Sequence, residues 1–139
     1  MLLGMKCVMK INIIKLILTA FICLAWFVNG LFCKILNLVP RHQEIVGRIL
    51  GEEYSWLFTK AIGIAEILMV VWIVSKIRSR FCAIFQIAIV GTMNFIEFIL
   101  VPDLLLFGRM NIVFASIFIV IIYVNEFVLP RHNGYVLTK

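Results

Sequence analysis

Four long runs of apolar residues, separated by three polar breaks, dominate the pattern of this chain. They cover residues 13–36, 56–75, 81–101 and 105–128, and each is about as long as a helix that crosses roughly 30 Å of hydrocarbon. None shows the period-two alternation of a barrel strand, whereas a helix satisfies its own backbone hydrogen bonds in lipid. The pattern predicts an all-α protein, a transmembrane four-helix bundle forming a single membrane domain over residues 1–139.

The first break, residues 37–55, is long enough to hold an element of its own. Pro40 can open a short helix, and Gly51 suits its end. Such a helix carries an apolar stripe of Ile45, Val46, Ile49 and Leu50. We expect a short interfacial helix between the first two spans, acting either as a lid over the bundle or as a simple connector.

Composition supports the membrane assignment. Of the 139 residues, 64% are hydrophobic and only 14% are charged, and the mean hydropathy is +1.13. A soluble domain needs a far more polar surface. The net charge of +6 favours contact with anionic lipid, and no basic stripe with interleaved aromatic residues predicts nucleic-acid binding.

The basic residues are divided unequally between the two sides of the predicted bundle. One side, which includes both termini, carries Lys6, Lys10, Lys15, Lys76, Arg78, Arg80, Arg131 and Lys139. The other side carries Lys34, Arg41, Arg48, Lys60 and Arg109. The positive-inside rule therefore predicts that both termini are cytoplasmic.

Polar residues inside the predicted spans are the best candidates for function, because polar groups in hydrocarbon are costly. Glu66 lies near the centre of the second run. Helical spacing predicts that this glutamate shares an interior face with other polar side chains in the outer half of the bundle, the half next to residues 37–55. The ligand or partner-binding candidates are Trp26, Asn29, Lys34, Glu66, Asn94, Glu97 and Asn111, with Arg41 and His42 added from the interfacial loop.

Three interpretations of this polar cluster remain open. It forms a hydrogen-bonded network that fixes helix register, a site for a ligand such as a quinone headgroup or a proton, or a contact for a partner helix. Lys34 can pair with Glu97 or Glu66, or extend to the interface. Gly30, Gly63 and Ala115 fall on the same helix faces and allow close helix approach.

The sequence predicts no catalytic residue set and no metal site. The four cysteines form no Cys-x-x-Cys motif, and the predicted topology scatters them in depth. His42 and His132 are predicted on opposite sides of the membrane, so they cannot share a metal ion within one subunit.

Several motifs in order resemble the DoxX-like family of small four-span membrane proteins. They are Trp26-x-x-x-Gly30-Leu31-x-x-Lys34, Pro40-Arg41-His42-x-x-Ile45-Val46, Gly63-x-x-Glu66, Met93-Asn94, residues 104–111 and Tyr123-x-Asn125-Glu126-Phe127. The resemblance implies a four-helix bundle in a bacterial inner membrane and association with membrane redox proteins, since the family is named after a subunit of a thiosulfate:quinone oxidoreductase. It implies no reaction for this chain, which lacks a cysteine pair.

Three functions are compatible with these observations. The first is a non-catalytic subunit or scaffold of a membrane redox complex, partnered by an oxidoreductase, with quinone as the candidate cofactor. The second is an assembly factor or chaperone for other membrane proteins. The third is a transporter or proton-conducting protein that uses Glu66, and it is the weakest because the sequence contains no inverted repeat or discontinuous helix.

Overall fold

The computed structural model describes residues 2–129, with side chains from residue 9 onward. Its helices are α1 (Leu2–Phe27), α2 (Arg41–Leu50), α3 (Ser55–Ser75), α4 (Ser79–Leu100) and α5 (Asn111–Tyr123). α1 continues directly as a π-helical segment, Val28–Ile35, and α5 continues as a second one, Val124–Val128. A single 3-10 turn, Gly108–Met110, leads into α5. The described residues contain no strand, so the all-α prediction is confirmed.

Four helices are long and apolar enough to cross a membrane. They span Met9–Ile35, Ser55–Ser75, Ser79–Leu100 and Gly108–Val128. Many of their large apolar side chains are exposed, such as Leu16, Leu68 and Phe95, and in a membrane protein these surfaces face lipid rather than water. The chain is an integral membrane protein built as a four-helix bundle, with the short helix α2 between its first two spans.

The bundle is assembled from two close helix pairs. α1 and its π-helical continuation pack along α3, and α4 packs along α5. Contacts between the two pairs, α1 with α5 and α3 with α4, are much sparser. This leaves room between the pairs, except at one level where all four spans meet in a buried cluster of Ile22, Trp26, Met69, Cys82, Ala83 and Ile122.

The last connection differs from the sequence prediction. The fourth span was expected to begin at Leu105, whereas residues 102–107 form turns and the helical part begins at Gly108. Val101 and Leu105 are buried against Ile45 of α2. The apolar side chain of Leu105 packs under α2 and not within a span. Hydropathy alone therefore places the start of the fourth span too early.

α2 lies across one end of the bundle, which we call the α2 end. Ile45, Val46 and Gly47 are buried, whereas Leu50 is 55% exposed. Gly51 ends the helix with φ +103°, a conformation that favours glycine. The predicted apolar stripe is therefore only partly buried, and Leu50 at its end faces outward.

Candidate functional site

A close backbone approach between α3 and the π-helical segment of the first span organises the α2 end. A Cβ added at Gly30 would lie 2.8 Å from the Gly63 carbonyl oxygen, and one added at Gly63 would lie 2.8 Å from the Gly30 carbonyl oxygen. Real Cβ atoms do not come so near to carbonyl oxygens, so only glycine fits at either position. Small residues allow such approaches between helices in membranes.

This approach brings Lys34 and Glu66 together. Lys34 lies one turn after Gly30, and Glu66 lies one turn after Gly63. The Lys34 ammonium donates a hydrogen bond to Glu66 Oε1 and forms an ion pair with it, and the two side chains are only 12% and 13% exposed. The other carboxylate oxygen, Glu66 Oε2, is buried without a hydrogen-bond partner among the described residues. Glu66 lines the cavity described below, and this oxygen is a buried acceptor without a partner among the described residues.

Lys60 secures the same helix pair from α3. Its ammonium donates to the carbonyl oxygen of Ile35, the last residue of the π-helical segment. Carbonyl groups at helix ends lack intrahelical partners, so a lysine supplied by a neighbouring helix satisfies one of them. The sequence interpretation used Lys60 only as a charge for topology and missed this role, because the partner is a backbone atom 25 residues away.

The opposite helix pair contributes a second polar contact. Asn111 at the start of α5 donates to Asn94 Oδ1 of α4 at 3.0 Å, while the Asn94 amide donates to the Val90 carbonyl oxygen at 2.9 Å. Glu97 lies one turn beyond Asn94 on α4. Of the two carboxylates that Lys34 was expected to reach, the structure pairs it with Glu66 rather than with Glu97.

A cavity of about 770 Å³ lies between the two helix pairs at the α2 end. Its walls are mostly apolar and include Met69, Ile89 and Phe118. Phe85, Met93 and Phe114 line it and are also 41–51% exposed, so the cavity reaches the lipid-facing surface. All nine residues named from the sequence line it, namely Trp26, Asn29, Lys34, Arg41, His42, Glu66, Asn94, Glu97 and Asn111.

Two of these nine residues form hydrogen bonds with partners outside the nine. The Asn29 amide donates to the Ala25 carbonyl oxygen of its own helix at 3.1 Å, and the residue is exposed. The buried Trp26 donates from Nε1 to Gln86 Oε1 at 2.9 Å. Trp26 therefore forms the inner end of the cavity. Gln86 was not among the expected site residues, because spacing along the sequence does not identify its partner.

Arg41 and His42, assigned from the sequence to the interfacial loop, lie in the first turn of α2, the helix expected to open at Pro40. The turn at Val39 and Pro40 already has helical hydrogen bonding. His42 is partly buried. Burial, and secondarily the positive charges of Lys34 and Arg41, lower the pKa of His42 to about 4. The imidazole is therefore neutral at pH 7 and can accept or donate a hydrogen bond at the mouth of the cavity.

α2 is held over the cavity by two kinds of contact. Ile45 packs on Val101 and Leu105, and Arg48 donates to Asp103 Oδ2 at 2.6 Å. The hydrogen bond from Arg48 lowers the pKa of Asp103. The ion pair joins residues 55 positions apart, and no sequence pattern connects them.

The thiols do not form a redox pair in the part of the chain with described side chains. Cys23 and Cys33 are half-buried, Cys82 is buried, and all three are free. Cys7 falls outside the residues whose side chains are described, as does His132. Within the described residues, no group of three or more His, Cys, Asp or Glu side chains lies together in a way that suits a metal ion.

Comparison with known proteins places this bundle in a family. Searches among curated proteins and among solved structures give no match. The family model described as the DoxX-like family matches residues 23–124, which include the Gly30–Gly63 approach, the Lys34–Glu66 pair, α2 and both asparagines. Because this match covers most of the sequence and the four apolar helices are present, the chain belongs to the DoxX-like family.

Proposed function

We propose that this protein is a non-catalytic membrane subunit of a quinone-linked redox complex, and that the cavity at the α2 end receives the quinone headgroup. The observation that carries the proposal is the Lys34–Glu66 pair in the lining of a cavity of about 770 Å³, with Glu66 Oε2 lacking a hydrogen-bond partner among the described residues. Small-molecule sites are typically concave, mostly apolar and furnished with a few convergent polar groups, at volumes of roughly 300–1,000 Å³.

The chemistry of the lining suits a quinone. Quinone carbonyl oxygens accept hydrogen bonds, and Lys34 and the Asn111 amide are donors in the lining. In this proposal the Glu66 side chain turns so that Oε2, which is buried without a partner among the described residues, accepts from the hydroxyl group of the reduced quinol. Met69 and Phe118 offer apolar surface for the ring. One site can therefore hold both redox forms without any covalent step of its own.

The entry route also favours a lipid-soluble ligand. Phe85 and Met93 of α4 and Phe114 of α5 line the cavity and are also exposed on the lipid-facing surface. A quinone carries a long apolar tail that stays in the bilayer while its polar ring moves inward. In this proposal a partner oxidoreductase supplies the electrons, and the bundle positions the ring.

A cavity-filling variant tests the proposal. Ala115→Phe adds a ring inside the cavity, because Ala115 lines it and is half-buried. We expect the affinity for a short-chain quinone, measured by titration of the purified protein in mild detergent, to fall about tenfold or more. Ala88→Phe is the matched control, since Ala88 is exposed on α4 outside the cavity, and its affinity should stay at the wild-type value.

The same preparation tests the partner. Wild-type protein isolated in mild detergent is expected to carry a co-purifying oxidoreductase and extractable quinone. A lone, quinone-free protein, or equal quinone affinities in the two alanine variants, would contradict the proposal.

A second function, assembly factor for other membrane proteins, is favoured by one observation. Asn29 is exposed inside a membrane span, and its hydrogen bond among the residues with described side chains goes to Ala25 of its own helix. An exposed amide within a span can pair with an unsatisfied polar group on a client helix. A photo-crosslinking residue at position 29 should then capture several different membrane proteins, whereas a redox subunit should give a single dominant product.

A further inference from the structure

A second cavity, of about 540 Å³, lies at the end of the bundle opposite α2. Its polar lining comes from three places in the chain: Asn12 and Lys15 on α1, Lys76 and Ser79 around the connection between α3 and α4, and Asn125 and Glu126 in the final π-helical segment. Among the described residues, none lines both this cavity and the cavity at the α2 end. The hydrogen-bonded pair of Trp26 and Gln86 separates the two, with one residue facing each.

The lining is positively charged and only partly neutralised. Lys15 donates to the Leu129 carbonyl oxygen at 3.3 Å, a bond that leaves its charge in place. Neither Lys15 nor Lys76 forms an ion pair within residues 9–129. Lys10, Arg78 and Arg80 are exposed at the same end. The acidic member, Glu126, accepts a hydrogen bond from Ser79 at 2.8 Å.

The shape of the cavity is held by a partly buried hydrogen-bond network next to Lys15. Asn125 donates to Thr19 Oγ1 at 3.1 Å, and the Thr19 hydroxyl donates to the Lys15 carbonyl oxygen at 2.8 Å. Asn125 belongs to the π-helical segment, and departures from α-helical winding are frequent at functional sites. The final span is thus fixed against α1 at the level of the lysine.

The cavity is also open to the bilayer. Leu16 lines it and is 69% exposed, so the cavity is continuous with the lipid-facing side of α1. The phosphate headgroup of a phospholipid can enter from this side while its acyl chains remain in the bilayer against Leu16. Basic pockets between transmembrane helices bind anionic lipid headgroups in this manner.

We propose that this second cavity is a binding site for an anionic glycerophospholipid, whose phosphate lies between Lys15 and Lys76 with its acyl chains along the outer face of α1. Asn12 is a further donor to the headgroup. The ligand chemistry is a phosphate monoanion or dianion, and the lipid-facing opening favours a lipid over a free phosphate ion.

Native mass spectrometry of the full chain, titrated with phosphatidylglycerol in non-ionic detergent, tests the site. The double variant Lys15→Gln/Lys76→Gly removes both ammonium groups. Lys76 has φ +56°, a conformation that glycine adopts more easily, so this substitution should preserve the fold. We expect phosphatidylglycerol affinity to fall about thirtyfold.

A matched variant distinguishes a specific lipid site from nonspecific electrostatic attraction between the lipid and this end of the bundle. Lys10→Gln/Arg80→Gln removes two charges at the same end from exposed residues outside the cavity lining, and we expect its affinity to fall less than threefold. Lys15→Arg/Lys76→Arg keeps both charges and should retain most of the binding, which distinguishes loss of the ligand contact from loss of folding.

Four results would overturn the proposal. They are equal weakening in the two charge-removing variants, no weakening in either, equal wild-type affinity for phosphatidylcholine, and displacement of the bound lipid by millimolar inorganic phosphate. The last result would assign the cavity to the free ion instead of the lipid.

Discussion

At the scale of single residues, Glu66 determines the free-energy cost of burying the polar cluster within the membrane. A carboxylate within a span is expensive to bury alone. Here Lys34 compensates its charge, while the second oxygen has no hydrogen-bond partner within the described part of the chain. Breaking a buried pair by removing one partner leaves the other charge uncompensated, which costs more than the pair contributes. The two residues are therefore best understood as one unit.

The first prediction concerns this unit. Glu66→Leu should lower the free energy of unfolding, measured in mixed detergent micelles, by roughly 3 kcal/mol, because it leaves the Lys34 ammonium buried with neither a carboxylate nor an acceptor oxygen at position 66. Glu66→Gln keeps an acceptor oxygen for Lys34 and should cost only about 1 kcal/mol. Lys34→Met/Glu66→Leu should recover most of the loss. Equal losses in Glu66→Leu and Glu66→Gln would show that Lys34 needs the carboxylate charge itself and that an acceptor oxygen does not replace it.

His42 makes a prediction about pH. Its pKa is lowered from 6.5 to about 4 in the folded protein, so between these values the unfolded chain takes up a proton that the folded chain does not. The contribution of His42 to stability is complete above pH 6.5, is lost as the pH falls, and levels off below pH 4. His42→Gln should remove this part of the pH dependence of unfolding. A variant profile parallel to that of wild type would mean that His42 is solvated.

At the scale of helices, the contact between α3 and the first span depends on two glycines. Gly91 of α4, by comparison, is not at a close approach between helices. A Cβ at Gly91 of α4 would meet only Ile119 Cδ1 at 3.8 Å, an ordinary contact. The chain therefore contains its own control for the effect of close approach.

The third prediction uses this control. Gly63→Ala should lower the free energy of unfolding by roughly 1–3 kcal/mol, because its Cβ would force the two helices apart, and it should also weaken quinone binding by separating Lys34 from Glu66. Gly91→Ala should leave stability unchanged or raise it by up to about 1 kcal/mol, since alanine favours a helix. A Gly63→Ala protein as stable as Gly91→Ala would contradict the close approach.

At the scale of the whole molecule, the two helix pairs leave a cavity at each end and meet at one central apolar layer. Each π-helical segment borders one of the cavities: Cys33 and Lys34 line the first, and Asn125 and Glu126 line the second. The two proposed sites thus lie at opposite membrane faces. Their orientation in the membrane remains a prediction from the distribution of basic residues.

The fourth prediction tests that orientation. In a background without the native cysteines, Glu53→Cys should react with a membrane-impermeant maleimide in intact spheroplasts, because residue 53 lies on the α2 side that is predicted to face outward. Arg80→Cys, at the other end, should react only after permeabilisation. The reverse labelling pattern would invert the topology and place the basic cavity outside.

Hydropathy and helical spacing determined much of this protein in advance. The apolar composition of each span determines that it lies in lipid. The four spans, the short α2 and the polar residues within the membrane could therefore be predicted from the sequence. The family motifs pointed the same way, and the family assignment is confirmed. These features are local, because burying an apolar run in lipid does not depend on which helix lies beside it.

Only the tertiary structure decided which groups meet. The pairing of Lys34 with Glu66 follows from the approach at Gly30 and Gly63, and Leu105 lies beneath α2 instead of within a span. The second cavity depends on the π-helical segment that presents Asn125. Lateral helix order and helix winding arise from packing between distant segments, and differences in hydropathy among four nearly uniform apolar helices are too small to specify them.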